Sequence, residues 1–155
     1  MDLILWRHAE AEEGLPDQDR KLTRKGTRQA GVMAEWLKPR LPKDVKILVS
    51  PARRTQQTAK ALGMAFETCE DLAKENNAAD ALKAIGWPEG KRTVVVVGHQ
   101  PTLGQMAALM MTGNSADWEI RKSGVWWLSN RDVQSASQAL LEAVMSPRML
   151  KKGKP

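Results

Sequence analysis

The amino-acid pattern predicts an α/β fold: a three-layer sandwich with a mostly parallel central sheet, helices on both faces and an antiparallel edge hairpin. Three observations carry this. The segments 3–6, 45–49 and 93–97 are mostly apolar on consecutive residues rather than alternating, as in strands buried on both faces. Segments with helical spacing separate them. After Gly113 the rhythm changes to two strand-like runs, 124–129 and 139–145, joined by the turn residues Asn130, Arg131 and Asp132. An α+β arrangement is the alternative that uses the same elements.

Taken in order, Leu3-Ile4-Leu5-Trp6 is the first strand, and a polar loop follows it. Thr23 can cap the next helix, which carries Met33, Trp36 and Leu37 on its apolar side and stops before Pro39. Residues 45–49 form the second strand. Ser50-Pro51 places a hydroxyl before a first-turn proline, so a helix is expected to start there and to run through Ala59 and Leu62 to Gly63. Residues 64–68 read as a weaker strand and residues 78–85 as a short helix. After the turn-rich Gly86-Trp87-Pro88-Glu89-Gly90, residues 93–97 are the most strand-like run, and a helix is expected over 101–111. In the hairpin, Trp126 and Trp127 are consecutive, so alternation would place one ring outside as a partner surface, and core packing is the expected account of both.

The 155 residues suit one domain, residues 1–150, with a basic C-terminal tail over 151–155. Hydrophobic residues at 42% and charged residues at 27% match a folded globular chain rather than a disordered one. The net charge of +6 favours an anionic partner. Cys69 is the only cysteine, which rules out an intramolecular disulfide or a thiolate metal cluster and suits a reducing compartment. The first apolar run, closed by Arg7, is too short for a signal-peptide core or a membrane span. The expected location is the cytoplasm, with no membrane partner.

Both histidines of the chain stand at the C-terminal ends of strongly apolar strands, in Trp6-Arg7-His8 and Val97-Gly98-His99. The C-terminal ends of parallel strands share one sheet edge, where ligands bind, so His8 and His99 are expected to face a common site. Ser50-Pro51-Ala52-Arg53-Arg54 ends at the same edge and puts two guanidiniums in the first turn of a helix. That placement opposes the helix dipole unless an anion compensates, and phosphate suits both first-turn amides and arginine forks. Arg7, Arg54, His8 and His99 thus make a cluster of donors around a nucleophilic imidazole, the combination that phosphoryl transfer requires. The surrounding guanidiniums are expected to lower the pKa of His8, whereas His99 would bind phosphoryl oxygens better when protonated.

These segments resemble the SixA-type phosphohistidine phosphatases of the histidine phosphatase superfamily, which includes the phosphoglycerate mutases. Arg7-His8-Ala9-Glu10-Ala11 is similar to the family's first motif, Ser50 to Ala59 to the second, and Val97-Gly98-His99-Gln100-Pro101 to the third. The resemblance implies that His8 is the nucleophile, that Arg7 and Arg54 clamp phosphate, and that His99 contacts the phosphoryl group. Arg20-Lys21-Leu22-Thr23-Arg24-Lys25-Gly26 resembles a further family segment and implies that Arg20 reaches the pocket rim. Many members of the superfamily supply a carboxylate general acid between the second and third motifs. Here Glu75 is the candidate, without a clean match.

The resemblance therefore implies a phosphatase acting on phosphohistidine in proteins through a covalent phosphohistidine intermediate, with no cofactor. The alternative is a small phosphomonoester or phosphosugar phosphatase of the same superfamily. Two histidines without Asp-x-Asp or His-x-x-Glu spacing give no metal cage, so no metal is expected. A basic nucleic-acid-binding module is the non-enzymatic alternative, but the basic residues are scattered and match no binding motif, so no nucleic-acid partner is expected.

Overall fold

Six strands build one mixed sheet in the computed structural model, which describes residues 1–130, 134–135 and 137–150. They are Asp2–Arg7 (β1), Lys46–Val49 (β2), Glu67–Thr68 (β3), Thr93–Gly98 (β4), Val125–Ser129 (β5) and Leu140–Met145 (β6), in the spatial order β3-β2-β4-β1-β5-β6. The pairs β3/β2, β2/β4 and β4/β1 are parallel, and β1/β5 and β5/β6 are antiparallel. The mostly parallel sheet with an antiparallel edge hairpin is therefore what the structure contains. Arg131 and Asp132 of the connecting turn, and the tail over 151–155, lie outside the described residues.

The helices are Arg24–Leu37 (α1), Arg53–Lys60 (α2), Ala78–Ile85 (α3), Thr102–Thr112 (α4) and a final turn, Pro147–Leu150 (α5). Strand residues of β1 alternate between two cores. Leu3 and Leu5 pack with Leu82 of α3 and with Leu103, Met106 and Met110 of α4, whereas Ile4 and Trp6 pack with Met33 and Leu37 of α1 and Ala59 of α2. Helices cover both faces, which is why the strands read as mostly apolar runs.

Local signals explain the ends of most elements. Thr23 Oγ1 accepts the Gly26 N–H at 2.9 Å and starts α1, and Asn77 Oδ1 accepts the Asp80 N–H at 2.8 Å and starts α3. Gly86 and Gly113 close α3 and α4 at φ +93° and +81°, backbone that a side chain disfavours. Two expectations need correction. The helix after β2 begins at Arg53 rather than at Ser50-Pro51, because the Ser50 hydroxyl is engaged elsewhere and caps nothing. The run over 64–68 pairs only through Glu67 and Thr68. Core packing accounts for both tryptophans, as expected: Trp126 packs on the α3/α4 face, 6.1 Å from Trp118, and Trp127 on the other, its Nε1 donating to Asp2 Oδ2 at 3.0 Å.

Among the described residues, no helix is long and apolar enough to cross a membrane.

Candidate active site

The chain leaves β1 through α1 and reaches β2 by passing β4, and it leaves β4 through α4 and reaches β5 by passing β1. The two connections depart in opposite directions, which opens a crevice at the strand ends between them. Arg7 and Gly98 are partners in the parallel ladder, and the next residue of each strand is a histidine. The His8 N–H donates to Gly98 O at 3.1 Å, and the His8 and His99 ring centroids lie 5.5 Å apart. On the other side of β4, the Ser50 N–H donates to Val97 O at 3.0 Å, which carries β2 and the start of α2 to the same edge.

The two imidazoles are held differently. His8 Nδ1 lies 2.7 Å from Ala9 O. A carbonyl can only accept, so Nδ1 carries the proton and Nε2 keeps a free lone pair. Burial, with Arg54, Arg7 and Arg20 nearby, outweighs that hydrogen bond and lowers the pKa of His8 to about 4. His99 Nε2 lies 2.7 Å from Ser50 Oγ. Burial again comes first, and with Arg54 and His8 it lowers the pKa of His99 to about 3. His99 is thus a neutral ring, and the protonated form that would bind phosphoryl oxygens better is disfavoured by its surroundings. When the Ser50 hydroxyl donates to Nε2, the other nitrogen, Nδ1, bears the ring proton.

Arg54 is almost wholly buried, at 2% exposure, an unusual state for a guanidinium. Its Nη1 donates to Asp17 O at 2.9 Å and its Nη2 to Asp17 Oδ2 at 3.0 Å. Arg7 Nη1 donates to Ile120 O at 2.8 Å. Among the described residues, three buried side-chain nitrogens have no hydrogen-bond partner: Arg7 Nε, Arg54 Nε and His99 Nδ1. All three belong to residues lining one cavity of about 390 Å³, which His8, Arg20, Lys74, Lys122 and Glu13 also line. Buried donors left unpaired are costly. Held by three residues that line one cavity, they leave hydrogen-bonding capacity beside it that the oxygens of an anion would suit.

The structure brings His8, Arg7, Arg54, His99 and Arg20 together. Arg20 sits at the rim, where its Nε donates to Glu12 O and its Nη1 reaches Asp17 Oδ1 at 3.1 Å. Glu75 is exposed and does not line the cavity. The carboxylate that does is Glu13, on the loop after β1 rather than between the second and third motifs. Asp17 was also missed. Lodged in a single 3-10 turn, Asp17–Asp19, it lies 3.1 Å from Arg20, 3.0 Å from Arg54 and 3.3 Å from Lys74. Burial works to raise its pKa, but the hydrogen bonds from Arg20, Arg54 and Lys74 prevail and hold it well below the usual carboxylate range. No local pattern marks an aspartate in a polar loop, because its partners are 37 and 57 positions away in sequence, at Arg54 and Lys74.

The remaining motif residues join the strand-end loops. The Ala9 N–H donates to Thr58 Oγ1 at 3.0 Å, and the Leu22 N–H donates to Gln57 Oε1 at 2.7 Å. Gln100 Nε2 donates to Trp118 O at 2.8 Å, which ties the 118–121 segment over the site. Arg53, beside Arg54, points outward and is exposed.

Comparison with known proteins places the chain in a family. The family model of the histidine phosphatase superfamily (branch 1) matches residues 3–77. A phosphohistidine phosphatase SixA homolog of Haemophilus influenzae is 33% identical over 129 residues, covering 70% of this chain and 76% of its own length. SixA of Escherichia coli is 29% identical over 125 residues, covering 74% of this chain and 77% of its own. A solved structure of the protein histidine phosphatase SixA complexed with tungstate superposes with a TM-score of 0.81 at 25% identity, covering 97% of this chain and 100% of that one. A phosphoserine phosphatase of Entamoeba histolytica shares the fold at a TM-score of 0.72 and 16% identity, covering 97% of this chain and 99% of its own. Fold and relatives together define a hydrolase of the phosphatase class. The chain belongs to the histidine phosphatase superfamily, as a SixA-type member.

Proposed function

We propose that this chain is a metal-independent phosphatase that removes phosphoryl groups from phosphohistidine on proteins, through a covalent phosphohistidine at His8. The observation that carries the reading is that Arg7, Arg54 and His99, each with a buried nitrogen that has no hydrogen-bond partner, line one cavity with a neutral His8. The SixA relatives support the substrate class, and tungstate in the solved SixA structure is itself a tetrahedral oxyanion.

In this reading the His8 Nε2 lone pair attacks phosphorus in line as the bond from phosphorus to the substrate imidazole breaks. Arg7, Arg54 and His99 hold the equatorial oxygens and stabilise their charge. The leaving imidazole departs neutral, taking its proton from solvent. Water then attacks phosphorus, the bond to Nε2 breaks, and inorganic phosphate leaves His8 neutral with Nδ1 still donating to Ala9 O. Arg20 and Lys74 surround the mouth of the cavity, with Asp17 fixing Arg54 behind it. Glu75 has no part in the chemistry. The lone Cys69 suits a reducing compartment, and the cytoplasm is the proposed setting.

One observation favours the small-ester reading: Glu13 places a carboxyl group at the cavity wall, where it can protonate an alkoxide leaving group. The test is relative kcat/KM on a phosphohistidine-bearing protein and on a panel of small phosphate esters. The proposal expects the phosphoprotein to be preferred by about a hundredfold or more. A small ester hydrolysed as efficiently would overturn it.

A further inference from the structure

Beside the catalytic cavity lies a second and larger groove, of about 730 Å³, between α1, the 119–122 loop and the start of α5. Arg7 and Lys122 line both, so the two spaces are adjacent. Lys25 and Arg28 of α1, with Arg121 and Arg148, add four more cations to its walls. We propose that this groove docks an acidic, partly apolar segment of the phosphoprotein, next to the phosphorylated residue whose phosphoryl group enters the catalytic cavity. The inference rests on the phosphoprotein reading and adds how such a substrate is recognised.

Four features point to that occupant. Among the described residues, the ion pairs are the three made by Asp17, so Lys25, Arg28, Arg121, Lys122 and Arg148 have no acidic partner within the fold. They are all exposed and available to one. Second, the lining's two carboxylates, Glu10 and Glu119, are outnumbered by its six cations, and Glu119 acts on Arg7, so an excess of positive charge is left. Third, α1 carries Arg24, Lys25 and Arg28 in its first five residues with no acid in the first turn, against its own dipole. A charge pattern that costs the helix stability is accounted for by an anion bound outside it. Fourth, Val32 and Pro147, both half-buried, form apolar ground among the cations and suit a segment that alternates carboxylates with apolar side chains.

Nucleic acid fits less well. No aromatic side chain lines the groove to stack on a base, and Glu10 and Glu119 interrupt the track that a phosphate backbone would follow. A small phosphorylated metabolite would fill the catalytic cavity and leave the groove empty.

The experiment uses the full chain and a fluorescein-labelled twelve-residue peptide of Asp, Glu and Leu with no phosphoryl group, read by fluorescence anisotropy. Wild type should bind it, more weakly at 200 mM than at 50 mM salt. Arg28→Glu with Arg121→Glu should weaken binding about tenfold or more, and Arg28→Gln with Arg121→Gln should fall between. Neither residue lines the catalytic cavity, so hydrolysis of phosphoramidate, a small P–N substrate, should stay within about twofold, which also shows that the variants are folded. Peptide binding that is absent, or indifferent to both variants, would overturn the proposal. So would tighter binding of a single-stranded DNA of equal length. Peptide binding at the groove without any phosphoprotein hydrolysis would leave the docking site standing and remove the phosphoprotein reading. Phosphoprotein hydrolysis that an excess of the peptide does not inhibit would do the reverse.

Discussion

Lowering the pH from 7 to 5 should destabilise this protein through its two histidines and leave both rings uncharged in the native state. An unfolded imidazole titrates near pH ~6.5, whereas burial holds His8 at about 4 and His99 at about 3. Because the folded pKa values are depressed, their contribution to stability is complete above ~6.5 and is lost as pH falls toward the folded values. From pH 7 to pH 5 each unfolded ring takes up a proton that the native ring refuses. That costs about 2 kcal/mol per ring, or about 4 kcal/mol for the pair. Carboxylates contribute little in this window, since Asp17 stays ionised and unfolded carboxylates titrate lower. Urea unfolding at the two pH values measures the loss. With only two histidines in the chain, nitrogen-15 NMR of labelled imidazoles gives each pKa and tautomer separately. Both rings should carry the proton on Nδ1 at pH 7. Either ring titrating near pH 6.5, or an unfolding free energy unchanged between pH 7 and pH 5, would refute the burial reasoning.

Other perturbations separate chemistry from packing. Arg54→Ala should cost roughly 3 to 4 kcal/mol of transition-state stabilisation, on the scale of one lost preorganised donor, and a near-normal kcat/KM would remove Arg54 from the site. Ser50→Ala frees His99 Nε2 and lets the ring proton move off Nδ1; kcat/KM should fall about tenfold or more, with the Nε2–H form of His99 visible by NMR, and an unchanged tautomer would show that Ser50 does not set it. Gly26→Ala would drive a Cβ into the Glu10 carbonyl and push α1 off the strand-end loop, so the melting temperature should drop by an amount equivalent to about 1 to 3 kcal/mol; an unchanged Tm would deny that close approach.

The sheet was legible because each buried strand is a short, mostly apolar run, and the site because its histidines directly follow two of those runs. Strand order was not legible. That β1 lies beside β4 is set by how α1 and α4 pack on opposite faces, and the pairing of Arg7 with Gly98 follows from it. The helix start at Ser50-Pro51 misled for a related reason: the hydroxyl that would cap α2 instead meets a ring 49 residues away in sequence. Tertiary contact overrode a local signal there. Asp17, Glu13 and the unpaired cations of α1 belong to loops and surfaces whose roles depend on neighbours distant in the chain.

The central claim is that His8 takes the phosphoryl group. Rapid mixing with a phosphorus-32 phosphohistidine protein, an alkaline quench that preserves P–N bonds, and mapping of the labelled peptide by mass spectrometry test it directly. The account predicts label on His8 in the wild type and none in a folded His8→Asn variant. Label on another residue, or undiminished label in His8→Asn, would contradict it.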